Sequence, residues 1–184
     1  MKKFLELLVM FVLIFMIPSE IFAQNLPVVL SGSNKMLLED MSAHPSNYVF
    51  IGGGGPDRIL YVSKPSIDVQ QYAPPKYIIS VKRITIYNIG RRDANNNWYT
   101  QRSAEVGICR YLYDYKAKKI YVESNSNGKA SWQLLDLSQA NKGNVSPIGK
   151  DIRTAEFAFY LAYKKSFFDK PLSDKFRVYI DEGN

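Results

Sequence analysis

Cysteine and histidine are almost absent from this chain, with one residue of each type among 184. The single Cys109 cannot close an intramolecular disulfide, so the fold must be stabilised by packing. A zinc site of the ordinary type needs several cysteine or histidine ligands, so we expect no metal site and no cofactor. His44 is the only histidine available to a Ser-His-Asp hydrolase, and no nucleophile-elbow sequence accompanies it. No catalytic residue is therefore predicted.

Two further signatures of enzymes are missing. The glycine run at residues 52–55 does not predict a phosphate-binding loop, because such a loop continues with Lys and then Ser or Thr. Pro56 and Asp57 follow instead, which is typical of a turn between strands. The acidic residues show no suggestive pair for glycoside hydrolysis. Binding is therefore favoured over catalysis.

Long apolar runs are also missing, apart from one near the amino terminus. Two lysines precede an uncharged apolar run at residues 7–17, which Pro18 ends. A membrane-spanning helix needs about 20 apolar residues, so this run is too short. Positive charge, a short apolar run and the small Ala23 together are typical of a secretory signal peptide. We expect residues 1–23 to be removed and residues 24–184 to form a single exported domain.

Export limits the compartments in which the protein can act and the partners that it can meet. The expected location is the periplasm, the cell surface or the extracellular medium. No cysteine lies near the expected cleavage site, so the protein is not predicted to be a lipoprotein. No later apolar stretch has the length of a membrane span, and none is expected in the mature chain. The formal charge of +7 favours anionic envelope or host-matrix components, whereas nucleic acid is not expected outside the cell.

Strand patterns dominate the middle of the chain. Short apolar alternations separated by turn signals predict an antiparallel meander at about residues 47–137, and Cys109 is expected to be buried in it. Tyr77, Ile79 and Val81 share one face, whereas Ile84 and Ile86 have the opposite parity. That change indicates either a β-bulge or a strand buried on both sides.

The carboxyl-terminal part changes to a helical period. Residues 151–168 carry apolar side chains at steps of three and four, with Asp151 as the expected cap. A shorter helical segment is expected at residues 35–41 and a last strand at residues 176–180. The predicted fold class is α+β: an antiparallel, meander-rich β-sheet with one C-terminal amphipathic helix packed on it.

Tyrosine is frequent, with 13 residues. Its preference for half-buried sheet positions explains most of them. Tyrosine beside lysine also suits a binding surface, because it offers apolar area and a polar tip. The candidate binding patch is the hairpin whose aromatic and basic residues are Tyr111, Tyr113, Tyr115, Lys118, Lys119 and Tyr121.

A strand ends at Tyr61-Val62-Ser63, and Ser66-Ile67 follows shortly after it. With this pattern, the order of elements resembles small bacterial exported proteins of unknown function and, more loosely, proteins of the surface-adhesin E type. In the latter a Tyr-Val-Asp strand end is followed by Ser-Ile, so Ser63 replaces the aspartate. The resemblance implies an α+β domain and binding to host or matrix components. It transfers no functional residue.

The leading hypothesis is a non-enzymatic, adhesin-like binding domain at the cell surface or in the periplasm. Two alternatives remain open. An envelope-acting hydrolase would have a pocket in which Asp or Glu side chains converge. A structural subunit of an envelope assembly would have an exposed strand edge or an apolar patch on its sheet.

Overall fold

The computed structural model describes residues 28–30, 34–53, 57–126, 128–141 and 146–182. The expected signal peptide lies outside these ranges. The described residues form eight strands and three α-helices. In chain order these elements are β1 (Val28–Leu30), α1 (Lys35–Ala43), β2 (Tyr48–Gly53), β3 (Arg58–Ser63), β4 (Asp68–Ala73), β5 (Lys76–Arg92), β6 (Trp98–Asp114), β7 (Lys119–Ser126), β8 (Lys129–Leu134), α2 (Pro147–Tyr163) and α3 (Asp174–Asp181).

One sheet joins all the described strands in the order β2-β3-β5-β6-β7-β8, with β4 paired to β5 and β1 paired to β6. Strands β2 to β8 are antiparallel to their neighbours, whereas the short β1 runs parallel to β6. The helices flank this sheet. The predicted α+β class and the antiparallel meander are therefore confirmed.

The β5–β6 hairpin is the centre of the sheet. Its register runs unbroken through all 17 residues of each strand. Because side chains alternate along a strand, Ile79 faces the large core under α2, while Ile84 and Ile86 pack with Leu38 of α1 on the opposite side. Burial on both faces therefore explains the change of parity, and β5 has no bulge where it pairs with β6.

Helix α2 covers one face of the sheet. The Ser146 hydroxyl accepts a hydrogen bond from the N–H three residues later at 3.4 Å, and Pro147 occupies the first helical position, where its missing N–H costs nothing. The left-handed Lys164, with φ 53°, follows the last helical residue. The expected bounds 151–168 and the expected cap Asp151 are wrong. Ser146 and Pro147 begin the helix earlier, and Lys164 ends it earlier.

Helix α3 replaces the expected strand at residues 176–180, which is a second correction. The Ser173 hydroxyl accepts a hydrogen bond from the Phe176 N–H at 3.3 Å and caps the helix, as serine commonly does. Phe176 is buried, and its ring lies 5.1 Å from that of Phe157 in α2. Helical spacing brings Phe176 and Tyr179 onto α2, and this packing outweighs their β propensity.

The remaining local expectations have mixed outcomes. Helix α1 confirms the helical segment at 35–41, and Cys109 is buried as expected. In the glycine run, Gly52 and Gly53 belong to β2, while residues 54–56 of the expected turn lie outside the described ranges. No helix in the described part of the chain has the length and apolarity that crossing a membrane requires.

Candidate functional site

The structure separates the expected binding patch into different environments. Tyr111 and Tyr113 are fully buried under α2 rather than exposed, which corrects their place in the patch. Strand alternation turns both side chains toward the helix, where the Tyr113 hydroxyl donates to the Ala155 carbonyl oxygen at 2.9 Å. Burial raises the pKa of both phenols well above its usual value. These two tyrosines are core residues.

Lys119 and Tyr121 lie on β7, away from the buried pair. Tyr121 is half-buried and pairs with Leu112 on one side and Leu134 on the other. These register partners belong to the sheet face opposite α2. Lys119 is exposed and pairs in register with Asp114. Neither residue reaches the rings beside α2.

Tyr115 and Lys118 stay together at the β6–β7 turn. The Lys118 ammonium lies 3.9 Å from the centre of the Tyr115 ring, donates to the Phe167 carbonyl oxygen at 2.8 Å and lies 3.6 Å from Asp169. This cation–π contact and the hydrogen bond tie the turn to the segment after α2. Tyr115 is 39% exposed, so its ring remains available at the surface.

Tyr115 forms one wall of a cavity of about 280 Å³. The cavity lies where the β4–β5 turn, the β6–β7 turn and the carboxyl end of α2 meet. We call it the aromatic pocket, and its lining residues are Tyr72, Tyr77, Tyr115, Phe159, Tyr163 and Lys165. Five of the six carry aromatic rings, so the pocket offers large flat apolar surfaces with few polar groups.

Local structure brings these rings together. Tyr72 and Tyr77 are register partners across the β4–β5 hairpin, and their rings meet edge to face at 5.5 Å. The Tyr77 ring also lies 5.4 Å from that of Tyr163. The Tyr115 N–H donates to the Pro75 carbonyl oxygen at 2.8 Å, which joins the two strand turns. Such tilted ring contacts are the favoured aromatic geometries.

The polar groups of the pocket are few and distinctive. The Tyr163 hydroxyl oxygen is buried and has no hydrogen-bond partner in the part of the chain that the structure describes. Burial raises the pKa of Tyr163, with a smaller contribution from Tyr77 and Tyr72. Lys165 is exposed and supplies the one charge in the lining. A ligand with a hydrogen-bonding group and negative charge would satisfy both.

Exposed lysines surround this end of the molecule. They belong to the two strand turns and to the segment after α2, all of which contribute to the pocket or adjoin it. Their positive charge is partly offset by Asp114 and Asp169. The exposed lysines are Lys76, Lys116, Lys119, Lys164, Lys165 and Lys170.

A larger cavity of about 550 Å³ lies between β2 and α3. Its lining includes Phe50, Lys175 and Glu182, with the Lys175 ammonium 5.5 Å from the centre of the Phe50 ring. No buried polar atom without a partner has been found in this lining among the described residues. The aromatic pocket is smaller, but Tyr163, whose hydroxyl is such an atom, belongs to its lining, so it is the better candidate.

His44 and Cys109, the single histidine and cysteine of the chain, do not form part of a catalytic arrangement among the described residues. His44 is exposed, and its Nδ1 lies 2.8 Å from an Asp40 carboxylate oxygen. The described residues contain no cluster of three or more His, Cys, Asp or Glu side chains suited to a metal ion. Burial raises the pKa of the Cys109 thiol, which makes the reactive thiolate less accessible.

Sequence reasoning identified Tyr115 but missed most of the pocket. Tyr72 and Tyr77 flank Ala-Pro-Pro-Lys, a turn sequence that would have predicted their pairing. Phe159 and Tyr163 were assigned only to the apolar face of a helix, although their spacing of four residues places them on one side of its last turn.

Comparisons of the chain with protein-family models, with curated proteins and with solved structures found no match. The resemblance to the surface-adhesin E type stays a prediction. What the protein does must be inferred from its own geometry.

Proposed function

We propose that this chain is a non-enzymatic, exported binding protein that captures an acidic polysaccharide of the envelope or the host matrix at its aromatic pocket. The observation that carries this proposal is the lining of five aromatic rings, one of which is Tyr163, whose buried hydroxyl has no described partner. Export is supported by the signal-peptide pattern of residues 1–23.

Carbohydrate is the ligand class that fits these walls. The face of an aromatic ring carries negative charge density, so it attracts the C–H-rich face of a sugar ring. A binding pocket of this kind uses a few polar groups to fix orientation, and the hydroxyls of Tyr72, Tyr77 and Tyr163 can supply hydrogen bonds. Lys165 and the surrounding lysines favour a sugar that carries a carboxylate or sulfate.

The lining favours binding over hydrolysis. Glycoside hydrolysis ordinarily uses two carboxylic acids on either side of the bond that is cleaved. The aromatic pocket is lined by six residues, none of which is Asp or Glu. A hydrolase would therefore need a different site.

The structural-subunit alternative also has an observation in its favour. The sheet face opposite α2 carries several exposed apolar side chains, among them Ile108 at 70% exposed, Leu134 at 50% and Trp132 at 37%. Strand β8 pairs only with β7 among the described strands. An envelope assembly could bury this face or extend the sheet at β8.

The decisive experiment measures binding of the full chain to alginate, hyaluronan and neutral dextran by calorimetry at low and high salt. We expect saturable binding to an acidic polymer that weakens with salt. Tyr72→Ala should lower the affinity by about fivefold or more, since aromatic contacts of this kind are worth about 1 kcal/mol or more. Lys165→Gln should lower both the affinity and its salt dependence.

Trp98→Ala is the matched control. Trp98 is 51% exposed and has the Arg92 guanidinium 4.4 Å from the centre of its ring, so it is also an aromatic side chain beside a cation. It lies at the far end of β6 and should leave the affinity unchanged. Equal losses in both variants, or no capture of any acidic polymer, would refute the pocket. Turnover of a peptidoglycan or ester panel would favour the hydrolase, and self-association in light scattering would favour the subunit.

A further inference from the structure

A third cavity lies at the end of α2 opposite the aromatic pocket, and its lining is polar. It measures about 200 Å³ and is enclosed by β3, β5, β6 and the first turn of α2. Lys150 of this cavity and Tyr163 of the aromatic pocket are 13 residues apart, which is about 20 Å along a helix. We call it the cationic cavity, and its defining residues are Arg58, Arg83, Tyr87, Glu105, Gly107 and Lys150.

Two of its three cations form no ion pair with any carboxylate that the structure describes. Arg83 donates to an Asp151 carboxylate oxygen at 2.5 Å. Arg58 and Lys150 form no ion pair with any carboxylate in the described residues. The Arg58 guanidinium instead lies 5.4 Å from the centre of the Tyr87 ring. The cavity therefore has an excess of positive charge.

The titration of Lys150 reflects this excess. Burial lowers the pKa of its ammonium, the positive charges of Arg58, Arg83 and Arg153 lower it further, and the neighbouring Asp151 carboxylate offsets part of this shift. An anion placed among these groups would be attracted by all of them. It would also raise the pKa of Lys150, because it would stabilise the charged ammonium.

Glu105 is the one carboxylate in the lining, and it already has a hydrogen-bond partner. Glu105 accepts a hydrogen bond from the Tyr87 hydroxyl at 2.8 Å. One of the two carboxylate oxygens of Glu105 is therefore occupied by the Tyr87 hydroxyl. The negative charge of Glu105 still opposes an incoming anion, so its removal should strengthen anion binding.

Gly107 keeps part of the cavity open. A Cβ atom built on Gly107 would meet no atom within 4 Å, and its φ lies outside the left-handed region that glycine favours. A β-branched side chain is compatible with a strand at this position. Gly107→Val can therefore fill the space without altering any charged group.

We propose that the cationic cavity binds a phosphoryl group. Arginine and lysine from three separate elements surround it, and Arg58 and Lys150 supply two unpaired positive charges for one dianion. Arginine presents a planar set of N–H donors that matches phosphate oxygens, and lysine adds a point charge. This site is separate from the aromatic pocket and does not depend on the function proposed there.

The same phosphoryl chemistry occurs in inorganic phosphate and in the headgroup of an anionic lipid. Inorganic phosphate is the first probe, titrated into the full chain at constant ionic strength and followed by calorimetry. Vesicles of phosphatidylcholine with and without phosphatidic acid are the second. Binding of phosphate without vesicles identifies the free ion as the source. Vesicle capture that is lost in the same variants identifies the lipid, and both results support the site.

The variants distinguish binding at a specific site from attraction of phosphate by the net positive charge of the chain. Arg58→Gln and Lys150→Gln should each weaken phosphate binding by about tenfold, as expected for a charge-assisted hydrogen bond. Gly107→Val should abolish binding with all charges kept, and Glu105→Gln should tighten it. Lys82→Gln is the charge-matched control, because Lys82 is exposed on the opposite sheet face; it should change the affinity by less than about twofold.

Two results would overturn the proposal. One is the absence of saturable phosphate binding by a natively folded chain. The other is an equal loss in Lys82→Gln and Lys150→Gln, which would show binding to net charge alone. Thermal unfolding of each variant checks its fold, and Gly107→Val gives an answer even where an arginine variant is unstable. Tyr72→Ala should leave phosphate binding unchanged, so the two proposed sites can fail independently.

Discussion

The two ends of α2 are held by different forces. At the carboxyl end, Phe159 lies among the rings of Tyr77, Tyr113, Tyr163 and Phe167 at centroid distances of 4.9 to 5.8 Å. At the amino end, the Arg83–Asp151 pair joins the helix to β5. Apolar packing does not depend on direction and tolerates adjustment, whereas a charge pair requires exact partners.

The comparison explains where the candidate sites arise. At one end the Tyr163 hydroxyl is buried without a hydrogen-bond partner among the described residues, which is costly. At the other end Arg58 and Lys150 are only partly buried, and they form no ion pair within the described part of the chain. A ligand of matching chemistry would supply what the fold lacks, which is an uncharged hydrogen-bond partner in one case and an anion in the other.

Phe159→Ala should have the largest effect on stability and tests the aromatic end. Phe159 is 3% exposed, and replacing a buried phenylalanine with alanine costs about 3–5 kcal/mol. Urea unfolding measures the loss. Phe50→Ala is the control, because Phe50 is 46% exposed and should lose less than about 1.5 kcal/mol. Similar losses in both variants would contradict a packed aromatic end.

Glu156, in the middle of α2, should make stability depend on pH. Its carboxylate accepts hydrogen bonds from the N–H groups of Leu172 at 2.6 Å and Ser173 at 3.0 Å, which lower its pKa. Burial outweighs them and raises the pKa of Glu156 from 4.5 to about 7. The folded chain therefore holds this proton more tightly than the unfolded chain does.

This stabilisation should be complete below about pH 4.5 and should be lost as the pH rises through about 7. Its size is on the order of 3 kcal/mol. Glu156→Gln should remove that part of the pH dependence, whatever its absolute stability. Denaturant unfolding between these pH values provides the measurement. An unchanged slope in the variant would assign the dependence to other groups.

Asp151→Asn tests the amino end and should have an intermediate effect. The side chains of Arg83 and Asp151 are 24% and 19% exposed, so the substitution removes a partly buried charge-assisted hydrogen bond, worth about 2 kcal/mol. Glu39→Gln is the matched control. It breaks the exposed Lys35–Glu39 pair at 3.8 Å and should cost less than about 0.5 kcal/mol. Equal losses of unfolding free energy in the two variants would mean that the Arg83–Asp151 pair does not stabilise the amino end of α2.

Tyr163→Phe should have the smallest effect on stability. It removes a buried hydroxyl that has no described partner, so the change should lie within about 1 kcal/mol and favour the variant. Tyr113→Phe removes a hydroxyl that donates to Ala155 at 2.9 Å and should lose about 1 kcal/mol. If Tyr163→Phe proves the more destabilising of the two, its hydroxyl has a partner in solution.

Sequence reasoning predicted the sheet better than the site. The strands were predictable because alternation and turn residues are local signals. Helix α3 was not, because its β-prone residues become helical only through the Ser173 cap and packing against α2. The same limit applies to tyrosines: Tyr111 and Tyr115 look alike in the hairpin sequence, and only the position of α2 buries one and leaves the other exposed. Lys150 and Arg58 are far apart in sequence and gave no signal.

The two-sided burial of β5 has a consequence for motion. The buried cluster under α1 consists of Leu38, Ile84 and Ile86, and it shares none of its buried residues with the larger core under α2. Small, separately packed regions open at a lower free energy than the main core of a protein. We therefore expect helix α1 to open as an independent unit, so that its amide hydrogens exchange before those of α2 while both candidate sites keep their shape.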